Sequence, residues 1–154
     1  MSVDIGLDKQ DRAGSIEALR KVLGDTYALY FKTHGYHWNV TGPRFKALHE
    51  LFMEQYTELW QALDDLAERI RTLGEFAPAS SEEIVAHATI KPDNGVPDAE
   101  DMISNLVRGH EMLAQVAKEG VKIAEAGDDA ATADLLTQRA AAAEKTAWML
   151  RSSL

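Results

Sequence analysis

The chain has 154 residues, 45% of them hydrophobic, a formal net charge of −9 and no cysteine. That length carries one domain with a sizeable core, no apolar run reaches the roughly 18 residues of a membrane-spanning helix, and the lack of disulfides suits a cytoplasmic location. The acidic balance also argues against a nucleic-acid binder, whose affinity rests on phosphate contacts.

Residues 1–14, MSVDIGLDKQDRAG, set Lys9 and Arg12 against Asp4, Asp8 and Asp11 and contain no apolar signal-peptide core. They read as a flexible, net acidic arm ahead of a domain covering 15–154. A first helix is predicted from Ser15, a fair N-cap, to Asn39. Its stripe is Ile16, Leu19, Leu23, Tyr27 and Tyr30, and His37 continues it. A histidine in such a stripe is by default a packed core residue. Val40-Thr41-Gly42-Pro43 is a short turn, so the following helix is an antiparallel neighbour.

That second helix, residues 46–73, carries two faces. Leu48, Phe52, Leu59, Leu63, Leu66, Ile70 and Leu73 form an ordinary core stripe. Beside it, about 100° round the axis, runs a second strip of His49, Met53, Tyr56, Trp60, Asp64 and Glu68. A solvated face has no need of Met53 and Trp60, so this helix packs on two sides. His49 is a possible metal ligand, and Asp64 and Glu68, one turn apart, form a carboxylate pair that can hold a cation. His49 and Asp64 nevertheless stand about 22 Å apart along the helix. They can share an ion only if a second, antiparallel copy supplies one half, as a two-fold dimer would do twice.

Gly74 ends this helix. The next 23 residues, Glu75 to Pro97, hold three of the four prolines and a short predicted helix, Ser81 to His87. So long a segment can cross the end-to-end length of a bundle, about 40 Å at about 3.3 Å per extended residue. Asp98 then caps a third long helix running to Ala126, with Ile103, Leu106, Leu113, Val116 and Ile123 facing the core and His110 packed or hydrogen-bonded among them. Gly127-Asp128-Asp129 is a tight turn. The last helix, 130–152, has Leu136, Ala140, Ala143, Ala147 and Leu150 on one face. The expected fold is all-α: a four-helix bundle with a short extra helix in the long crossover between the second and third long helices.

The run HGYHWNVTGPRFKALHELF, followed by DDLAERIRTLG, resembles the Dps proteins, dodecameric mini-ferritins of the ferritin-like superfamily. The shared pattern is a His-Trp-Asn, a His-Glu twelve residues after the first of these histidines, and an Asp-x-x-x-Glu-Arg; the likeness extends from residue 15 to the C-terminus. The resemblance implies ferroxidase sites at a two-fold dimer interface, each holding two irons. His37 and His49 would come from one subunit, and Asp64 and Glu68 from its mate. It further implies Fe(II) and hydrogen peroxide as substrates, Fe(III) storage inside a hollow homo-dodecamer, protection against oxidative damage, and entry pores lined at the start of the last helix, here Asp129 and Asp134. For those two residues a capping role is an equal alternative.

One position departs from the pattern. The family places a bridging carboxylate four residues after the second histidine, and this chain has Met53; Glu54 points about 100° away. A neutral thioether matches hard iron poorly. A shell with a weakened iron site, serving as a structural or DNA-associated stress protein, is therefore the alternative function. The resembling family's DNA binders use lysine-rich tails, which the acidic arm and the ending Arg151-Ser152-Ser153-Leu154 lack, so DNA binding is expected to be weak or absent. A conventional ferritin site needs Glu-x-x-His pairs within one bundle, and no glutamate stands three residues before any histidine here.

Overall fold

A computed structural model describes residues 2–154, which form five helices and no strand. They are α1 (Lys9–Asn39), α2 (Phe45–Thr72), α3 (Ser81–His87), α4 (Ala99–Ala126) and α5 (Ala130–Arg151). The four long helices form the bundle. Helix α1 packs against α2 and α4, α4 against α5, and the short α3 lies on α1.

Side-chain contacts give the directions. Arg69 meets Thr132 and Asp129 while Glu58 meets Arg139, so α2 and α5 are antiparallel. A Cβ on Gly120 would meet Leu136 Cδ1 at 2.7 Å and Ala18 Cβ at 3.4 Å. Only glycine lets α4 approach α5 and α1 this closely. With α4 and α5 joined by the tight turn at residues 127–129, α2 and α4 must run the same way. The crossover between them is therefore long, and this is the ferritin-like connection.

Local signals account for most boundaries. Asp98 accepts a hydrogen bond from Asp101 N at 2.9 Å and opens α4, and Ser80 accepts one from Glu83 N at 3.1 Å and opens α3. The first helix differs from the sequence reading. It starts at Lys9, capped by Asp8, whose carboxylate accepts from Asp11 N at 2.8 Å. Ser15 is buried inside α1 rather than capping it. Residues 9–14 carry no apolar stripe and read as arm. They are helical because they seat on other elements: Arg12 donates to Leu73 O at 3.3 Å, and Gly14 faces Ile123.

The core follows the predicted stripes of α1, α2 and α5. On α4 the buried face continues through Ala117, Gly120 and Ala124, and Ile123 is exposed, contrary to its expected place in the core. Small residues at close helix crossings replaced the large ones that the stripe was read from.

Candidate metal centre

Two histidines from adjacent helices meet near the α1–α2 turn. His37 lies in the last turn of α1 and His49 in the second turn of α2. Their rings stack with centroids 3.7 Å apart and planes inclined by 14°. Each ring's Nδ1 lies 2.6 Å from the other residue's backbone carbonyl oxygen. A carbonyl oxygen only accepts, so each Nδ1 carries its proton and donates. Both rings are thereby held in the tautomer whose Nε2 lone pair is free. No hydrogen bond among the described residues engages either Nε2. Orientation of a ligating imidazole through its other nitrogen is the usual supporting arrangement of a metal site.

Aromatic side chains pack round the pair. Phe45 stacks on His49 at 5.0 Å, and Tyr56 stands edge-on to His37 at 5.2 Å. His34 stacks on Tyr56 at 3.9 Å and its Nδ1 lies 3.1 Å from the Tyr30 hydroxyl. Partial burial lowers the pKa of His34, and the neighbouring His37 adds to that shift. His34 thus sits between Tyr30 and the histidine pair, 6.0 Å from the His37 ring. Periodicity puts Tyr30 and Tyr56 on helical stripes, and their convergence here depends on how α1 and α2 are rotated against each other.

Asp64 and Glu68 are both exposed on α2, on the strip that also carries His49, Met53 and Trp60. Nothing within one chain brings them to the histidines, and no group of three or more His, Cys, Asp or Glu side chains among the described residues could hold a metal ion. The histidine pair thus lies near one end of α2 and the two exposed carboxylates toward the other. Met53 and Trp60 lie between them, 44% and 58% exposed. Trp38, Phe31 and Val85 are exposed as well. Single exposed apolar residues are ordinary, but several large ones along neighbouring helices mark a contact surface.

The carboxylates at the start of α5 have different surroundings. Asp129 is 2% exposed, accepts from Thr132 N at 3.1 Å as the N-cap and pairs with Arg69 at 2.8 Å. Burial opposes its charge, yet the bonds from Thr132 and the Arg69 guanidinium leave its pKa below the ordinary carboxylate value. Asp134 is exposed and accepts from Gln138 Nε2 at 2.9 Å. His110 is buried with neither ring nitrogen hydrogen-bonded, so of its two expected readings, packed or hydrogen-bonded, the packed one holds.

No helix among the described residues is long and apolar enough to cross a membrane. A ferritin-like domain matches residues 16–154. An uncharacterised low temperature-induced protein of Nostoc sp. is 43% identical over 154 residues, spanning 97% of this chain and 85% of its own. DNA protection during starvation protein 2 of Bacillus anthracis is 39% identical over 139 residues, covering 90% of this chain and 95% of its own. The fold superposes on a crystal structure of a Dps protein from Vibrio cholerae O1 with a TM-score of 0.92, at 32% identity, over 99% of this chain and 96% of that one. That protein is described as a member of a broad superfamily of ferritin-like diiron-carboxylate proteins. Domain match, relatives and fold agree along nearly the whole length, and the chain belongs to the Dps family of ferritin-like proteins.

Proposed function

We propose that this protein is an iron-oxidising and iron-storing mini-ferritin. It works as a homo-dodecamer built from two-fold dimers, in the cytoplasm, and limits oxidative damage. The observation that carries the reading is the reciprocal clamp of His37 and His49, which holds a buried and a half-buried imidazole with both Nε2 atoms free of hydrogen bonds. Imidazole and carboxylate together are a donor set suited to non-haem iron. In a two-fold dimer with antiparallel α2 helices, Asp64 and Glu68 of the mate complete the set. Fe(II) is the substrate, two ions at each interface site, and hydrogen peroxide is the preferred oxidant. Two Fe(II) give one electron each, and H₂O₂ takes both electrons and two protons to become two waters. Removing iron and peroxide together limits Fenton chemistry, and Fe(III) is stored inside the shell. Iron enters near the start of α5, where exposed Asp134 provides negative potential and Asp129 anchors the helix to Arg69. Anaerobic mixing of Fe(II)-loaded protein with H₂O₂ tests the reading: about two Fe(II) should be consumed per peroxide, the ratio set by electron balance in two-metal chemistry. Peroxide consumption no faster than in protein-free buffer would favour the alternative, a shell with a weakened iron site acting as a structural or DNA-associated stress protein.

Met53 is the observation that keeps that alternative in view. It stands one turn after His49 and is well exposed. Two Fe(II) bring four positive charges to a site where only Asp64 and Glu68 are anionic, and under-compensated charge is costly. One iron should bind firmly and the second loosely. Met53→Glu adds a carboxylate and should tighten the second ion by about tenfold or more, on the order of 1.4 kcal/mol. Anaerobic calorimetry of Fe(II) binding reads this, and equal affinities in both proteins would show that Met53 merely fills space.

DNA should bind weakly or not at all, since the N-terminal segment is net acidic and phosphate attraction dominates such affinity. A band shift that survives about 150 mM salt, where screening is already strong, would contradict this.

A further inference from the structure

A third imidazole stands beside the His37–His49 pair. His34 lies three residues before His37 on α1, so the two project from one side of the helix. Their ring centroids are 6.0 Å apart. Tyr56 serves both rings: it stacks on His34 at 3.9 Å and stands edge-on to His37 at 5.2 Å. Trp38 lies against His34 as well, at 4.2 Å. The Tyr30 hydroxyl meets Nδ1 of His34 at 3.1 Å. These contacts fix the ring and occupy one of its two nitrogens. Nε2 of His34 has no hydrogen bond among the described residues, and it is not one of the buried polar atoms without a partner. It is therefore accessible.

The Tyr30 oxygen can accept as well as donate. When Nδ1–H donates to it, Nε2 carries the free lone pair, the same tautomer that the backbone carbonyls impose on His37 and His49. A hydrogen bond at one ring nitrogen is the usual support for a metal bond at the other. The need for another donor comes from Met53. Non-haem Fe(II) is commonly held by two imidazoles and one carboxylate. Two ions therefore call for about six protein donors, where His37, His49 and the mate's Asp64 and Glu68 are four side chains. Met53 adds none of the kind that hard iron takes. The three rings do not converge on one point, since no group of three His, Cys, Asp or Glu side chains among the described residues could hold a metal ion. The ions of a two-metal site stand roughly 3.5–4 Å apart. A ring offset by 6.0 Å from His37 therefore suits the second ion and not the first.

We propose that His34 is a further ligand of this centre and binds the second, more weakly held Fe(II) through Nε2. The proposal rests on the iron-oxidising reading above. His34 brings a donor atom but no negative charge. The second ion thus stays the looser of the two while depending on His34 for the affinity it has. Tyr30 is a positioning residue, which holds the His34 tautomer through Nδ1.

Anaerobic calorimetry of Fe(II) binding to the assembled protein tests it, with His34→Phe as the variant. Phenylalanine keeps a ring against Tyr56 and Trp38 and removes both nitrogens. The first ion should bind as in wild type. The second should bind at least about tenfold more weakly, the loss seen when even a supporting residue of a metal site is removed. Zinc gives a readout that a packing role would not move. In wild-type crystals soaked in excess Zn(II), anomalous scattering should place a second ion at about 2.0–2.1 Å from His34 Nε2, and that ion should be absent from the His34→Phe protein. An unchanged second affinity, an equal loss at both ions, or a second zinc ion away from His34 would each overturn the proposal. Wild-type protein that takes up no Fe(II), or uptake that survives His37→Ala and His49→Ala together, would sink the iron-oxidising reading itself and this proposal with it.

Discussion

Two inactive variants should restore each other's activity. A chain carrying His37→Ala and His49→Ala lacks the imidazole half of the site, and a chain carrying Asp64→Asn and Glu68→Gln lacks the carboxylate half. Each alone should oxidise Fe(II) at the protein-free rate, because each homodimer has two broken sites. In a mixed dimer one site loses both halves and the other regains both. Random pairing makes half of the dimers mixed, each with one working site of two, so the co-assembled protein should recover about a quarter of wild-type activity, as isologous pairing requires. Asp64 and Glu68 are exposed, so their amide variants should cost little stability. His37 and His49 tie α1 to α2 through each other's carbonyls, and removing them will cost some. Circular dichroism and sedimentation of each parent therefore accompany the rates. Activity retained in either parent would remove those residues from the mechanism. Two well-assembled inactive parents that show no recovery on mixing would mean that the site is not shared between chains.

Acid should destabilise this protein through His110. The ring is buried, and burial, with the Arg139 guanidinium beside it, pushes its pKa down to about 3. Glu58 does not offset this, because its carboxylate is engaged in a two-point pair with Arg139. An unfolded histidine titrates near pH 6.5. Below that value the unfolded chain takes up a proton that the folded chain refuses, so the stability present above about pH 6.5 falls as pH drops toward 3. At pH 5 the loss is about 2 kcal/mol per chain, at about 1.36 kcal/mol per pH unit. Asp129, whose pKa is also depressed, adds loss in the same direction at lower pH, so the comparison must isolate the histidine. His110→Leu keeps an apolar volume, removes two unpartnered nitrogens and is expected to be neutral or stabilising at pH 7.5. Denaturation midpoints at pH 7.5 and pH 5, at one protein concentration, should show wild type losing about 2 kcal/mol more than the variant, from the same proton linkage. Equal losses in both would place the acid sensitivity elsewhere.

Much of the architecture was legible along the chain because its signals are local. Asp98 after Pro97, the Gly127-Asp128-Asp129 turn and the apolar periods place α4 and α5 within a residue or so of where they lie. Ser81 to His87 forms the short crossover helix over the expected residues. Where the sequence misled, the cause was contact made at a distance. Residues 9–14 have no stripe and turn helical only by seating against Leu73 and α4. Ile123 looked like a core residue until Gly120 and Ala124 showed which side of α4 lies against its neighbours.

The candidate site divides in the same way. The sequence by itself determined that His49, Asp64 and Glu68 lie on one strip of one helix and that His49 and Asp64 are too far apart to share an ion, because helical rise per residue is constant. It could not determine how His37 and His49 face each other. Their stacking, and the two Nδ1–H bonds to each other's carbonyls that free both Nε2 atoms, depend on the rotation of α1 against α2 after a five-residue connection. The tie between α1 and the crossover, made by Thr89 N donating to the buried Asp25 carboxylate, is likewise invisible in the sequence, since the two residues are 64 apart. Periodicity tells which residues share a face; only packing decides which faces meet, because side-chain contacts between helices depend on register and rotation that no local signal encodes.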